Sequence, residues 1–339
     1  MEPKPVNSYV IAEVGQAHEG SLGNAHAFID LVKACGADAV KFQMHFADIE
    51  SGPEETWRVN FSYQDHMRYD YWKRIEFTPE QWLNLKKHCD DIGIDFICSA
   101  FSQAAAELLV KMQVHTFKVA SGEIDNFLFL DFLADHAQHV ILSTGMSDIE
   151  EIKEAHGRLQ KKVQTSILQC TTKYPAALSE IGINNIKLIA SECRPDQVGL
   201  SDHSGLVTPA FYAHAFGARI FENHICFDKS QFGPDTSSSL NPTQFRELVC
   251  GLEQCDELAE KEVAKTKALF TENRARFGKT LTFKKTLAEG HVIKPDDLET
   301  RKPAGLGLHP SKYQQILGQK LIKGVKAGDF VTNKMVGVI

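Results

Sequence analysis

The sequence lacks an apolar run long enough to cross a membrane. About 18 consecutive apolar residues are needed for a transmembrane helix, and every apolar run in the 339 residues is shorter. The first residues, MEPKPVNSYVIAEV, also lack the charged region and apolar core of a secretion signal. We therefore expect a cytoplasmic protein with no membrane partner.

An excess of positive charge is also absent. The 37 lysines and arginines face 44 aspartates and glutamates, which gives a formal net charge of -7. That balance argues against nucleic acid or an anionic membrane surface as the main partner. An anionic substrate must therefore be met by individual, locally placed lysines or arginines.

Closely spaced cysteines are missing as well. The eight cysteines are scattered, and none belongs to a CxxC pair. Several lie inside apolar runs, so we interpret them as buried, reduced thiols.

Neither disorder nor low complexity fits the composition, because apolar residues make up 43% and charged residues 24% of the chain. The chain is long enough for a barrel of about 250 residues and a small additional domain. We therefore expect two domains.

Eight short, apolar, β-branched runs recur along the first 230 residues, and each is followed by a longer segment with helical spacing. The runs are YVIAEV (9–14), AVKFQ (39–43), DFICS (95–99), TFKVA (116–120), VILST (140–144), SILQC (166–170), QVGLS (197–201) and RIFENH (219–224). Strands that are apolar on both faces and alternate with helices indicate a parallel sheet. Eight such units predict an α/β protein with a (β/α)8 TIM barrel rather than an open doubly wound sheet.

The pattern changes after residue 270, which gives the predicted domains. We assign 1–270 to the barrel, 271–281 to a linker and 282–339 to a small β-rich domain. Within the last domain, residues 287–299 and 325–336 echo one another around a glycine turn, so a duplicated half is expected.

Two lysines inside the predicted strands, Lys41 and Lys118, are candidates for anion binding. Burying an ammonium group is costly unless an anion compensates it. Ion pairs with Glu13 and Glu123, or side chains that reach out from the strand ends, would be the structural explanation. A phosphate or carboxylate ligand would be the functional one.

Two histidines, His203 and His224, end neighbouring strands and predict a metal site. Reactive groups of such barrels lie at the C-terminal ends of the strands. Neutral imidazoles there can bind a divalent ion and leave positions for water and substrate oxygen. A closed zinc site would need thiolates or a third histidine, so we expect a catalytic ion such as Mn2+, with Mg2+ or Co2+ as alternatives.

The second strand-to-helix connection, about residues 45–76, is unusually long and rich in aromatic and basic residues. Long loops on such barrels are often functional. His18 and Glu19 are interpreted as loop-capping candidates. Seven other histidines are interpreted as surface or helix residues: His26, His45, His66, His88, His136, His139 and His156.

Taken together, the motifs resemble one family, the sialic (nonulosonic) acid synthases, which carry a C-terminal antifreeze-like (SAF, β-clip) domain. The resemblance covers nearly the whole chain and rests on AEVGQAHEGS, VKFQ, FKVASGE, ILSTGM, LQCTTKYP, GLSDHSG, FENH, GPDTSSSLNP, KPAGLG and ILGQKL. It implies an enzyme that condenses phosphoenolpyruvate with an N-acetylmannosamine-type sugar, or with 2,4-diacetamido-2,4,6-trideoxymannose. The product would be a nine-carbon 2-keto acid, with release of phosphate.

The resemblance also implies roles for individual residues. Metal ligands would be His203 and His224. Phosphoenolpyruvate would be bound by Lys41, Gln43, Ser99, Lys118, Ser121, Ser143, Thr172 and Ser201. The sugar would meet Glu19, Tyr174, Glu222 and Asp235, with Glu123 near the reacting carbons; Glu222, Glu123 and Glu19 are the catalytic candidates, and which carboxylate is the general base stays open.

The tail of this family comes from the partner in a homodimer with exchanged domains, and a basic residue before its Pro-Gly turn reaches the sugar. Here Arg301 and Lys302 both precede Pro303, and either could serve. Four positions depart from the family pattern: Ala304, Gln16, Ala100 and Asn223. The last one removes a charge beside the metal site and points to a different sugar, such as a diacetamido-trideoxy hexose.

Two alternatives stay open. The first is a related phosphoenolpyruvate-dependent aldol synthase that acts on a phosphorylated or other aldose. It would require an additional cation for the second phosphate, which Arg58, Arg68 or Arg74 could supply. The second is a carbohydrate-binding protein without activity, against which the retained His, Lys and Glu residues argue.

Overall fold

The computed structural model describes residues 7–52, 54–59, 61–260, 263 and 265–337. The chain separates into two compact units, 1–261 and 262–339. The division falls a few residues before the boundary predicted at 270. The segment 271–281, predicted as a linker, contains a short helix and the start of a strand.

The first unit is built on a closed, parallel, eight-stranded barrel in which each strand pairs with its neighbours in sequence, and β1 pairs with β8. The strands are β1 (Tyr9–Gly15), β2 (Ala39–Met44), β3 (Asp95–Ala100), β4 (Thr116–Val119), β5 (His139–Ser143), β6 (Gln164–Cys170), β7 (Gln197–Asp202) and β8 (Ile220–His224). All eight predicted strands and the barrel architecture are confirmed.

The helices up to residue 260 belong to the first unit, and the last helix belongs to the second unit. They are α1 (Leu22–Cys35), α2 (Ala47–Glu50), α3 (Arg68–Ile75), α4 (Pro79–Ile92), α5 (Gln103–Lys111), α6 (Phe127–His136), α7 (Ile149–Leu159), α8 (Asn185–Glu192), α9 (Thr208–Ala215), α10 (Pro242–Glu260) and α11 (Thr271–Phe277). In the described ranges no helix is both long and apolar enough to span a bilayer.

Helix α4 shows how local sequence sets an element boundary. The Thr78 hydroxyl accepts a hydrogen bond from the Gln81 amide, and the Gln81 side chain accepts one from the Thr78 amide, which closes a capping box. Pro79 occupies the first helical position, where its missing N–H is not needed. Gly93 ends the helix at a φ of 69°, a left-handed conformation that glycine adopts without strain.

The barrel interior consists of stacked layers. An apolar layer is formed by Ile11, Ala39, Ile97, Ile141, Leu168 and Ile220. Side chains two residues further along each strand face the same side, and five of these six are polar and buried: Glu13, Lys41, Ser99, Ser143 and Glu222. The sixth is Cys170. The change from apolar to polar residues therefore places a charged layer directly above the barrel core.

Gly199 on β7 is required by this packing. A Cβ atom there would lie 2.1 Å from the Ile220 carbonyl oxygen and 2.5 Å from Leu168 Cδ2. Any side chain at this position would displace the apolar layer that supports the site.

The long connection after β2 folds on its own aromatic core. Ala47, Tyr71, Trp72 and Ile75 are buried together, and Trp57, Phe61 and Tyr69 pack against them. This cluster orders a segment that would otherwise be a long irregular loop, at the mouth of the barrel.

The second unit contains two antiparallel pairs, β9 (Thr280–Phe283) with β10 (Leu298–Arg301), and β11 (Lys320–Leu321) with β12 (Val336–Gly337). The expected duplication is visible in its hydrogen bonds. Gly328 N donates to Phe283 O, and Gly290 N donates to Leu321 O, both at 2.7 Å. The glycine turn of each half thus donates a hydrogen bond to a strand of the other half.

Candidate active site

A buried ionic cluster lies at the C-terminal end of the barrel strands. Lys41 Nζ is 2.6 Å from Glu13 Oε2 and 3.7 Å from Glu222 Oε1. Lys118 Nζ is 3.9 Å from the same Glu222 oxygen and 2.5 Å from Ser143 Oγ. Lys41 is therefore paired with Glu13, as the structural explanation required, whereas Lys118 contacts Glu222 and Ser143 rather than Glu123.

The charged groups in this cluster change one another's pKa values. Burial works to lower the pKa of Lys41, but the carboxylates of Glu13 and Glu222 outweigh it and raise that pKa. Burial lowers the pKa of Lys118, and the neighbouring Lys41 adds to the decrease. Burial alone would raise the pKa of Glu222, but the two lysines lower it to about 2. Glu222 is consequently an anion at neutral pH.

Hydroxyl groups surround the cluster. Ser99 Oγ lies 3.3 Å from Lys41 Nζ, and Ser201 Oγ donates to Glu222 Oε1 at 3.1 Å. Two buried oxygens, Glu222 Oε2 and Thr172 Oγ1, have no hydrogen-bond partner in the described part of the chain. Buried polar atoms are normally paired, so these two are suited to a bound ligand.

Gly145 leaves room beside Thr172. A Cβ atom there would lie 2.2 Å from Thr172 Oγ1 and 2.9 Å from Ser121 Oγ, and the Gly145 amide donates to that Ser121 oxygen at 2.9 Å. The structure thus brings together most of the residues predicted to bind phosphoenolpyruvate.

The two predicted metal ligands face each other. The rings of His203 and His224 have centroids 5.4 Å apart, both residues are buried, and Tyr174 stacks on His203 at 4.1 Å. The Thr171 carbonyl lies 2.8 Å from His203 Nδ1. A carbonyl at one ring nitrogen is the usual partner of a metal-binding histidine, because it directs the other nitrogen to the ion.

The protonation of the pair differs between the two rings. Burial lowers the pKa of His224, which favours the neutral imidazole that binds metal. Burial opposes the charged form of His203 too, yet the negative charge of Cys170 as a thiolate, its hydrogen bond to the ring and the Thr171 carbonyl raise the pKa of His203. Metal binding at His203 requires the neutral imidazole.

The residues fit an open divalent site rather than a closed one. Among the described residues no group of three or more His, Cys, Asp or Glu side chains could hold a metal by itself. Two imidazoles would leave the remaining positions to water and substrate oxygens. The charges of Lys41, Lys118, Glu13 and Glu222 cancel, so a dication beside them would supply the positive charge that an anionic substrate requires.

A cleft of about 410 Å³ opens above this layer. Its lining includes predicted site residues and residues of the long connection: Gln16, Gln43, His45, Glu50, Glu55, Arg58, Arg68, Trp72, Phe101, Ser121, Glu123, Thr172, Tyr174 and Asp235. Gln43, Ser121, Glu123, Thr172, Tyr174 and Asp235 were singled out from the sequence.

The interpretation of His45 as a surface or helix residue is wrong. Its ring is buried between Trp72, with centroids 4.1 Å apart, and Phe101 at 4.3 Å. One ring nitrogen contacts Glu50, and the other lies 3.1 Å from Gln43 Oε1. The Gln43 amide in turn donates to Glu13 Oε1 at 2.7 Å. A hydrogen-bonded chain therefore links the cleft wall to the ionic cluster.

The catalytic candidates occupy different places. Glu123 lines the cleft, its carboxylate accepts a hydrogen bond from Asn126 at 2.8 Å, and burial raises its pKa. Glu19 is tied to the long connection instead: Tyr71 donates to it at 3.0 Å, and Arg74 pairs with it at 3.2 Å.

Asn223 does not face the histidines. Its side chain is buried on the other side of β8, where it donates to Asp202 Oδ2 at 3.3 Å. Because alternate residues of a strand face opposite sides, Glu222 and His224 enter the site and Asn223 does not. Asn223 was expected to signal a different sugar, but its side chain points away from the site and does not support that expectation.

The remaining sequence predictions concern the second unit and the cysteines. Arg301 Nη2 lies 2.5 Å from Glu299 Oε1, and Lys302 Nζ lies 5.4 Å from the centre of the Phe277 ring. All eight cysteines are free; six are buried, but Cys250 is exposed and Cys255 is partly exposed.

Comparison with known proteins identifies the fold and its relatives. The NeuB family model matches residues 28–264, and the SAF domain model matches residues 279–337. An N-acetylneuraminic acid synthetase from Leptospira borgpetersenii, solved with citrate, superposes with a TM-score of 0.69 at 28% identity, covering 79% of this chain and 90% of that chain.

Two characterised relatives cover almost the whole chain. The N,N'-diacetyllegionaminic acid synthase of Legionella pneumophila is 29% identical over 330 residues, 94% of this chain and 92% of the relative. The N-acetylneuraminate-9-phosphate synthase of Homo sapiens is 29% identical over 344 residues, 97% of this chain and 92% of the relative.

Proposed function

The chain belongs to the NeuB family, and we propose that it condenses phosphoenolpyruvate with an N-acetylmannosamine-type sugar or 2,4-diacetamido-2,4,6-trideoxymannose to a nine-carbon 2-keto acid. The observation that carries the proposal is the buried layer of Lys41, Lys118 and serine hydroxyls at the end of the barrel that also carries the adjacent imidazoles of His203 and His224. Anion-binding and metal-binding groups at one strand end suit an anionic substrate and a polarised carbonyl.

In this reaction the lysines and hydroxyls would bind the phosphate and carboxylate of phosphoenolpyruvate. Lys41 and Lys118 would supply N–H donors, and Ser99 and Ser143 already contact their ammonium groups. Thr172 Oγ1, which has no partner in the described chain, is suited to donate to an anionic oxygen. A preorganised set of donors keeps its orientation during the reaction and therefore lowers the barrier.

The balanced chemistry needs one water. The enol carbon of phosphoenolpyruvate bonds to the aldehyde carbon, water adds to carbon 2, and the bond from carbon 2 to the phosphate oxygen breaks. One proton of the water reaches the former aldehyde oxygen, and the other leaves with phosphate. His203 and His224 would hold a divalent ion such as Mn2+, which would supply Lewis acidity toward the aldehyde oxygen.

Glu222 and Glu123 would play different parts. With a pKa of about 2, Glu222 is an anion that can orient water or a sugar hydroxyl but cannot donate a proton at neutral pH. Glu123 lines the cleft, and its raised pKa makes it the more basic of the two carboxylates.

The second unit would complete the site in a homodimer. Arg301 and Lys302 are both exposed and basic, so either could reach a sugar bound by the partner subunit. The variants Arg301→Ala and Lys302→Ala are assayed separately. The KM for the sugar should rise only in the variant that lacks the residue in contact with the sugar.

The direct test is phosphate release from phosphoenolpyruvate with Mn2+ and each candidate sugar. We expect release only when phosphoenolpyruvate, a suitable sugar and the ion are all present, and loss of release in the His203→Ala/His224→Ala double variant. A folded double variant with full activity would contradict the role of the histidines. Inactivity with every mannosamine-type sugar would contradict the proposed reaction.

A further inference from the structure

The cleft above the buried layer carries more negative than positive side chains. Its lining contains four carboxylates and two guanidinium groups: Glu50, Glu55, Glu123, Asp235, Arg58 and Arg68. The sugar would occupy this cleft, because phosphoenolpyruvate fits the lysines and hydroxyls below.

Both arginines of the cleft are already paired with its carboxylates. Arg58 Nη2 lies 2.7 Å from Asp235 Oδ1, and its guanidinium stacks on the Tyr174 ring at 4.3 Å. Arg68 Nε lies 3.2 Å from Glu55 Oε1, and its guanidinium lies 5.3 Å from the centre of the Trp72 ring. Each guanidinium group is therefore held by a carboxylate and an aromatic ring.

The third arginine considered for a second phosphate is occupied as well. Arg74 Nη2 lies 2.9 Å from Asp65 Oδ2 and 3.2 Å from Glu19 Oε2. Among the side chains of the barrel itself, a phosphate group on the sugar would have to displace a carboxylate from one of these arginines, and it would then lie beside that displaced carboxylate.

We infer that the acceptor is an uncharged sugar, not a sugar phosphate, and that the Arg68–Glu55 and Arg58–Asp235 pairs enforce this choice. The inference rests on the proposed function and narrows its substrate. Carboxylates at the cleft wall can accept hydrogen bonds from sugar hydroxyl and amide groups. Juxtaposed like charges exclude wrong partners.

Similarity to relatives does not decide this question. The Legionella relative, whose name contains no phosphate, and the human relative, whose name does, are both 29% identical to this chain. The charges of the cleft are thus the observation that discriminates.

The test compares kcat/KM for N-acetylmannosamine and 2,4-diacetamido-2,4,6-trideoxymannose with that for N-acetylmannosamine 6-phosphate, at saturating phosphoenolpyruvate and Mn2+. We expect the better uncharged sugar to be favoured by about 100-fold, since like-charge repulsion penalises the phosphate. An equal or higher kcat/KM for the 6-phosphate would overturn the inference and leave the proposed reaction intact.

A matched pair of variants tests the Arg68–Glu55 contact. Glu55→Gln removes the partner charge of Arg68, so the KM for the 6-phosphate should fall about 10-fold. Glu54→Gln removes the same formal charge from an exposed neighbour that does not line the cleft, and should leave the preference unchanged. An unchanged preference in Glu55→Gln would contradict the assignment of this pair.

A binding measurement separates the two proposals if no sugar reacts. Inactivity with all three sugars would refute the proposed reaction. Calorimetric titration of each sugar into the Mn2+-loaded protein, without phosphoenolpyruvate, would then still test the charge preference. Binding of an uncharged sugar but not the 6-phosphate supports the inference, whereas preferential binding of the 6-phosphate, or binding of no sugar, overturns it.

Discussion

Lys41 and Glu13 form a buried ion pair, with 2.6 Å between Nζ and Oε2 and side-chain exposures of 3% and 1%. The pair lies directly above the apolar layer of the barrel, between β1 and β2, whose register places the two residues opposite each other. Desolvation of two charges offsets much of their attraction. The pair therefore serves the site more than the stability of the fold.

Removing one partner of this pair should be much more harmful than removing both. Glu13→Ala leaves an ammonium with a weaker set of partners and should lower the free energy of unfolding of the barrel by about 3 kcal/mol or more. Glu13→Ala/Lys41→Met should recover a large part of that loss. Urea denaturation of the three proteins measures both effects, and a double variant no more stable than Glu13→Ala would contradict the account.

The free energy of unfolding should decrease as the pH is lowered, because of His18. Burial, with a smaller contribution from His45, lowers the pKa of His18 to about 3. Between about pH 6.5 and 3 the unfolded chain therefore binds a proton that the folded chain does not, so the stabilisation present above pH 6.5 is lost as pH falls. The slope from this residue approaches about 1.4 kcal/mol per pH unit.

The measurement is the free energy of unfolding of His18→Asn and wild type between pH 7.5 and 5. Asparagine can still accept the hydrogen bond that the Gly20 amide donates to His18 Nδ1 at 3.0 Å. We expect a shallower pH dependence in His18→Asn and an unchanged one in the control His66→Asn, since His66 is exposed. Equal slopes in His18→Asn and wild type would rule out a buried neutral His18.

His45 should act as a positioning residue for Gln43. His45→Phe keeps the stack between Trp72 and Phe101 but loses the contacts to Glu50 and Gln43, so kcat should fall about 10-fold with little change in stability. His45→Gln keeps a donor near the Gln43 oxygen and should retain more activity than His45→Phe. Steady-state kinetics measures kcat of both variants, and thermal unfolding measures their stability. If kcat fell only in proportion to a loss of stability, the role of His45 would be purely structural.

Metal binding should depend on the two facing histidines, whatever the reaction. His203→Ala and His224→Ala should each weaken Mn2+ binding by about 10-fold or more, measured by the electron paramagnetic resonance signal of the free ion. His66→Ala is the matched control. Because an imidazole must be neutral to bind the ion and the pKa of His203 is raised, the apparent affinity should also increase with pH. Wild-type affinity in both variants would exclude this metal site.

The barrel and its buried layer could be predicted because strand alternation is a local property. Glu222 and His224, two residues apart on β8, face inward, and so does Ser201 on β7. The apolar runs mark the strands themselves. The echo of residues 287–299 in 325–336 likewise predicted a duplicated half in the second unit, but not the hydrogen bonds that its two glycine turns make.

The cleft wall could not be predicted in the same way. His45 and Arg58 belong to the long connection after β2, whose path depends on the aromatic cluster around Tyr71 and Trp72. No short-range pattern places a loop residue beside Tyr174 or Gln43, so these contacts became visible only in the folded chain. The signal available in the sequence was the length and aromatic content of the connection.

The central claim is carbon–carbon bond formation between phosphoenolpyruvate and an amino sugar. Phosphoenolpyruvate labelled with 13C at all three carbons, incubated with the enzyme, Mn2+ and N-acetylmannosamine or its diacetamido-trideoxy analogue, tests it by mass spectrometry of the products. We expect a nine-carbon keto acid that carries all three labels, in amounts equal to the phosphate released. Labelled pyruvate alone, or phosphate without a labelled sugar acid, would contradict it.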